Sequence, residues 1–128
     1  TYVHQNSKIF EGSLINNISL YINKMINKKQ FEKSLKISTL SSMDLSSFNN
    51  IDEEGKNISG GEAQKILIAR AIYSNPKLIV FDETFSSIDK KSIDLIIKNL
   101  KNSKIKFFVI SHNRNIPYDN FEQVINLN

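Results

Sequence analysis

Cysteine is absent from this chain of 128 residues, which excludes disulfides, zinc-finger ligation and thiol chemistry. Long apolar runs are missing too. The stretch Leu78-Ile79-Val80-Phe81 is among the longest, far below the roughly 20 residues a membrane-spanning helix needs. The opening Thr1-Tyr2-Val3-His4 has neither the basic nor the apolar region of a secretory signal. Arginine is scarce: Arg70 and Arg114 are the only two, so most of the positive charge behind the net +4 is lysine. The lysines are scattered, with short pairs at Lys28-Lys29 and Lys90-Lys91. A nucleic-acid surface calls for clustered basic residues interleaved with aromatics or arginine. The charge therefore reads as a solvated lysine surface, with no nucleic-acid partner. Glycine numbers four, well under the usual share of about 7%. What remains is ordinary: 40% hydrophobic and 23% charged residues, enough for one compact domain with a buried core.

The pattern along the chain predicts strand, helices, strand, helix, strand, strand. Thr1 to His4 is short and β-prone, and Ser13 can cap a short turn over Leu14 to Ile18. From Tyr21 to Leu40 apolar residues recur at helical spacing, with Tyr21, Met25 and Ile26 as one set and Phe31 and Leu35 as another. Ser41 to Leu45 reads as a further short helical piece, and Phe48 to Asn57 as a loop. Ser59 to Tyr73 reads as a helix that Asn75-Pro76 ends, because proline cannot continue it. Leu78 to Phe81 is apolar throughout, as expected of a central parallel strand buried on both faces. Asp89 can cap a helix to Leu100 that buries Ile93, Ile96, Ile97 and Leu100. Phe107 to Ile110 reads as another strand and Gln123 to Leu127 as a last one. Alternating strands and helices argue for an α/β fold with a parallel sheet in the second half, after a more helical, polar first half.

Three groups of residues carry chemistry. Lys77 to Phe81 is a strand ending in two adjacent acids, Asp82 and Glu83, which alternation should send in different directions. Ligands of open α/β sheets gather at that end. One carboxylate suits a hydrated Mg²⁺ ion, and its neighbour can orient or deprotonate a water. Acids in such places are also plain helix caps or solvated strand ends. The second group is Ile58-Ser59-Gly60-Gly61-Glu62, where Ser59 and Glu62 have the spacing of a reciprocal capping box. Capping does not account for two glycines at a helix start. Adjacent glycines let another molecule approach the backbone, and exposed amides at the positive end of a helix suit a phosphate. The third is His112, just past the Phe107–Ile110 strand, where a lone histidine is more often a loop residue than a ligand.

The order Gln5, Ser59 to Glu62, Asp82-Glu83, Ser87-Ile88-Asp89 and His112 resembles the nucleotide-binding domain of ABC transporters over essentially the whole chain. Gln5 matches the Q-loop, Ser59 to Glu62 the signature motif, and Lys77 to Asp82 the Walker B strand. Glu83 matches the catalytic glutamate, Ser87 to Asp89 the D-loop and His112 the switch histidine. Ile58 and Glu62 stand where the signature usually has leucine and glutamine, which should weaken nucleotide contact mildly. The larger departure is the missing P-loop, which needs two glycines with four residues between them, then Lys and Ser or Thr. Gly55 and Gly60 have the spacing, but Gly61-Glu62 follows. On this reading residues 1–128 are the carboxyl portion of such a domain. Residues 10–75 would form the helical signature lobe, and residues 76–128 with 1–5 part of a RecA-like, P-loop NTPase core sheet.

The resemblance implies ATP and Mg²⁺ as ligands of a complete, head-to-tail pair of domains. Asp82 and Gln5 would serve the metal, Glu83 would be general base and His112 would contact the γ-phosphate. Ser59, Gly60, Gly61 and Glu62 would face nucleotide bound on a second nucleotide-binding domain, and Asp89 would contact that domain. The further partner implied is a transmembrane domain, which places the assembly at the cytoplasmic face of a membrane. Glu53-Glu54-Gly55 before the signature is similar to the loop exporters set against their membrane helices, which favours export of a peptide or drug-like substrate. The chain alone should be inactive and should self-associate through its open sheet. Two other readings are a degenerate partner completing another subunit's site and an SMC-type chromosome-maintenance ATPase. Against the first stand Glu83 and His112. Against the second stands the short segment, without sustained heptads, between Gln5 and Ser59.

Overall fold

The computed structural model describes residues 1–4, 6–20 and 25–125. Three parallel strands, β1 (Tyr2–Val3), β2 (Leu78–Asp82) and β3 (Lys106–Ile110), form a sheet in that order, with β2 central. Val80 lies between Tyr2 and Phe108, and Asp82 lies level with Ile110. Among the described residues four helices accompany the sheet: α1 (Leu14–Ser19), α2 (Lys28–Ile37), α3 (Gly60–Tyr73) and α4 (Lys90–Asn102). Short 3-10 turns follow at Leu40–Ser42, Leu45–Phe48, Glu53–Gly55 and Tyr118–Asn120.

α3 organises the molecule. Ala63, Lys65, Leu67, Ala69 and Ala71 are strong helix formers, and Ser59 closes its first turn. Ile66, Leu67, Ile68, Ala69, Ala71 and Ile72 are all buried, so the helix is apolar around most of its girth. Such a helix must be enclosed. It packs against α1 and α2 and also against β1. Its exit follows Asn75, whose φ of +50° turns the chain ahead of Pro76. α4 is amphipathic instead, and lays Ile93, Ile96, Ile97 and Leu100 into the core. One hydrophobic cluster joins Val3, Ile18, Leu40, Phe48, Ile66, Ile79, Phe81, Phe85 and Ile96. Fully burying a side chain such as Ile79 or Phe81 contributes about 1.5–3 kcal/mol.

Arg70 on α3 fastens the stretch ahead of α1. Its Nε donates to the Asn17 carbonyl (2.7 Å), Nη1 to the Lys8 carbonyl (2.9 Å) and Nη2 to Asn17 Oδ1 (3.2 Å). Asn17, itself buried, binds both the N–H and the C=O of Phe10. Burial pushes the guanidinium down to about 10. It remains charged at neutral pH, and three oxygen acceptors stand in for the water it has lost.

Two expectations are corrected. The helix read from Tyr21 to Leu40 begins at Lys28, because the Asn27 side chain accepts the Gln30 N–H (3.0 Å) and holds Asn27 extended as the cap. Tyr21 to Lys24 lie outside the described residues. No strand is formed by 123–125, and Asn126 and Leu127 lie outside the described residues. Phe48 to Asn57 is a loop, as expected, and it is pinned: Phe48 and Ile51 are fully buried and Ile51 pairs with Gly12.

β2 also departs from its expected burial on both faces. Ile79 and Phe81 are fully buried, whereas Leu78 is exposed and Val80 is only half-buried. The helices cover one face of the sheet. The other presents Tyr2, Leu78, Phe108 (63% exposed) and Ile110 (49%) to solvent, beside the unpaired edge of β3 among the described residues. An apolar face next to a free strand edge favours association. Light scattering at tens of micromolar (~10–100 µM) should therefore find species larger than a monomer, with Phe108→Lys together with Ile110→Lys restoring the monomer. A monomeric wild-type chain would count against this.

Candidate functional site at the carboxyl end of the sheet

Asp82 is the last residue of β2, and Glu83 leaves the strand with φ of +51°. That left-handed turn is unusual for a residue with a Cβ. The Glu83 N–H still donates to the Ile110 carbonyl (2.9 Å), so the turn occurs while the ladder to β3 persists. The two carboxylates consequently part. Asp82 Oδ2 accepts from the Tyr2 hydroxyl of β1 at 2.6 Å. That bond, more than burial or the charge of Asp82, raises the Tyr2 phenol above its ordinary pKa. Glu83 turns toward β3, where its Oε1 accepts the His112 N–H at 2.9 Å and Ser111 Oγ lies 3.5 Å from Oε2.

The His112 ring is fully exposed, with Nε2 3.9 Å from Glu83 Oε1, whereas the Glu83 side chain is only 20% exposed. Glu83 is thus a positioned carboxylate beside a histidine that is free to reach outward. Glu83 and His112 meet at the corner that closes β2 and β3, while Asp82 stands at the same end of the sheet on the β1 side.

A Mg²⁺ ion fits this corner in one respect. It keeps much of its water and asks for one or two carboxylates plus phosphate oxygens, not a closed protein cage. Among the described residues no cluster of three or more acids or histidines forms such a cage. Asp82, half-buried and held by Tyr2, is the carboxylate of the required kind. Gln5 lies outside the described residues.

The second group stands at the start of α3. Ser59 Oγ accepts the Glu62 N–H (3.2 Å) and Glu62 Oε2 accepts the Ser59 N–H (2.6 Å), which completes the capping box. Among the described residues the Gly60 and Gly61 amides have no acceptor. The glycines have an intramolecular reason as well. A Cβ on Gly61 would lie 2.8 Å from the Ser87 carbonyl oxygen, and one on Gly60 3.3 Å from Ser87 Oγ. The start of α3 is therefore pressed against the segment that follows Glu83. Asp89 caps α4 by accepting the Ser92 N–H (2.9 Å), and Ser92, through its hydroxyl first and its amide second, holds the Asp89 carboxyl below its usual range. Among the described residues no hydrogen bond or ion pair joins Ser59–Glu62 to Asp82, Glu83 or His112.

Sequence reasoning missed two residues. Tyr2 reaches Asp82 because the parallel register sets it one side chain back on the same face, which no local pattern reveals. Gln64 gave a signal that went unused: a long amide within an apolar helix, 9% exposed, must find partners inside.

The site thus consists of an acid pair and a histidine at the carboxyl end of a parallel α/β sheet, beside a capped helix start with two glycines. The sequence profile described as "ABC transporter" matches residues 1–86, and the chain belongs to that family. A solved bacterial Atm1-family ABC exporter with ATP bound superimposes with a TM-score of 0.75, at 22% identity over 85% of this chain and 20% of that one. The fold is accordingly that of the RecA-like, P-loop NTPases. The multidrug resistance-like ATP-binding protein MdlA of Buchnera aphidicola is 33% identical over 117 residues, 86% of this chain and 20% of its own length. The lacticin-481/lactococcin-DR transport/processing ATP-binding protein lcnDR3 of Lactococcus lactis is 35% identical over 123 residues, 89% of this chain and 18% of its own. The alpha-hemolysin translocation ATP-binding protein HlyB of Escherichia coli is 31% identical over 136 residues, 96% of this chain and 18% of its own. The chain spans about a fifth of the length of the curated relatives it matches. Among the described residues no helix is long and apolar enough to cross a membrane.

Proposed function

We propose that this chain acts within the ATP-binding and ATP-hydrolysing unit of an ABC exporter, coupling nucleotide hydrolysis to movement of a peptide or drug-like substrate across a membrane. One observation carries the reading. The chain holds two chemically distinct groups that do not meet, an acid–histidine corner at the end of the sheet and free amides at the start of α3. Two copies, or this chain and a related domain, arranged head to tail would place the amides of one on nucleotide held by the other. Residues 10–75 would then form the signature lobe and 76–128 with 1–5 the core part.

In that arrangement Glu83 takes the proton of the attacking water, and His112 reaches the γ-phosphate through its exposed ring. Asp82 and Gln5 would hold the Mg²⁺ ion, which would supply neutralisation of phosphate charge. Gly60 and Gly61 offer N–H groups to the partner's nucleotide, with Ser59 and Glu62 fixing the turn that presents them. Asp89, exposed at the head of α4, touches the partner domain. The substrate name in each relative's description, whether a multidrug, lacticin or hemolysin transporter, supports an exporter and selects no single cargo.

The sequence offers no P-loop of its own, so the chain by itself should show no micromolar (~1–10 µM) affinity for Mg-ATP by calorimetry. It should instead restore turnover to an exporter-type ATP-binding domain whose own signature serine has been replaced, because that domain keeps its P-loop and needs only amides from outside. Tight ATP binding by the chain alone, or no restoration in the mixture, would overturn the proposal.

A further inference from the structure

The segment between Glu83 and α4 is held from both sides. On its sheet side, Thr84 Oγ1 donates to the Val3 carbonyl (3.1 Å) and Asn113 Nδ2 donates to the Phe85 carbonyl (2.9 Å). On its other side a single residue of α3 does the work of both donor and acceptor. Gln64 Nε2 donates to Ser86 Oγ at 2.7 Å, and Gln64 Oε1 accepts the Ser87 N–H at 2.8 Å. The amide is 9% exposed, so water offers no ready substitute for either bond. One turn earlier Gly61 sits against the Ser87 carbonyl, and one residue later Lys65 Nζ donates to Ser92 Oγ at 3.0 Å.

We infer that Gln64 is a positioning residue that locks the first turns of α3 to residues 86–87, so that the amides of Gly60 and Gly61 and the carboxylate of Glu83 keep a fixed relation. The inference rests on the proposed reading of the α3 start as a nucleotide-facing element, and it adds a task for a residue that touches no nucleotide. The reacting corner and the donated amides belong to different nucleotide sites when two domains meet head to tail. A rigid tie between them inside one chain lets closure at one site bear on the other. The geometry suits this role. A side-chain amide carries a donor NH₂ and an acceptor oxygen on separate atoms, so it can give a hydrogen bond to a hydroxyl and take one from a backbone N–H together. The glycine contact meanwhile removes the slack that a side chain at 61 would introduce.

Two substitutions separate a tie from simple packing. Gln64→Met keeps length and volume and loses both bonds. Gln64→Glu keeps an acceptor for the Ser87 N–H and can accept from the Ser86 hydroxyl. In the full chain, hydrogen exchange at the Ser87 amide should quicken about ten-fold or more in Gln64→Met and stay near wild type in Gln64→Glu, with Ile66 to Ile72 still protected. In the mixture with the signature-deficient domain, Gln64→Met should lower the maximal rate roughly ten-fold. The KM for ATP, set by the other domain's P-loop, should stay within about two-fold. Gln64→Glu should recover most of that rate. A Ser87 amide that stays protected in Gln64→Met, or a rate unchanged once exchange has quickened, would overturn the inference. Should the wild-type chain fail to restore turnover at all, the proposed function falls, and exchange at Ser87 alone then decides whether Gln64 is the tie.

Discussion

Replacing Glu83 by glutamine in a subunit that carries residues 1–128 behind a P-loop should cut ATP turnover by about 10²–10⁴-fold, the usual contribution of a positioned general base. Nucleotide affinity should hardly change. Glu83 N–H is spent on Ile110, which fixes the Cα, and the left-handed turn aims the side chain at the end of β3. There the His112 N–H restrains Oε1. Glutamine preserves size, and its amide oxygen can still accept from His112, so the corner keeps its shape. What is lost is a group able to take a proton. Steady-state turnover and equilibrium ATP binding, measured on the same variant, separate the two effects. Turnover within about two-fold of wild type, with binding intact, would remove Glu83 from the reaction.

Phe85→Ala should destabilise the chain by about 3–5 kcal/mol, the range for truncating a buried aromatic. A domain of this size is stable by roughly 5–15 kcal/mol, so the variant should lose a large part of its margin and unfold at clearly lower urea concentration. Phe85 is fully buried and meets Phe81 edge-on, with centroids 5.4 Å apart. Phe81 in turn meets Phe107, and Phe107 meets Phe121, at 6.5 and 5.8 Å. The ring therefore joins the segment after Glu83 to an aromatic row that crosses β2 and β3. Phe85→Leu, which keeps most of the volume, should cost far less. Urea unfolding followed by circular dichroism reads both. A loss below about 1 kcal/mol for alanine would mean the neighbouring rings collapse into the space.

Much of the architecture is written locally. Ser59 with Glu62, and Asp89 with Ser92, are caps encoded within three residues, and α3 and α4 start where those caps place them. β2 follows from an apolar run bounded by Pro76 and Asp82. An apolar run cannot say how many of its faces are covered, however, and Val80 and Leu78 show the difference. Nor does helical spacing mark where a helix begins, since Met25 fits the periodicity although it precedes the Asn27 cap. Within the site, the acids and the histidine were legible as types in an order. The meeting of Glu83 with His112 was not, because it depends on Asp82 lying level with Ile110, and parallel register is set by distant packing. Gly61 carries the same lesson from the other direction. Its lack of a side chain pointed outward to a ligand, while the structure adds an inward demand from Ser87.

The turn at Glu83 has a consequence for anyone improving this protein. At φ of +51° a glycine is more comfortable than a glutamate by about 1 kcal/mol. A screen that scores yield, solubility or heat resistance would therefore tend to enrich glycine there. It would favour a sturdier protein stripped of the carboxylate proposed to act at the corner of β2 and β3. Breeding this fold for robustness and breeding it for work pull in opposite directions at one residue.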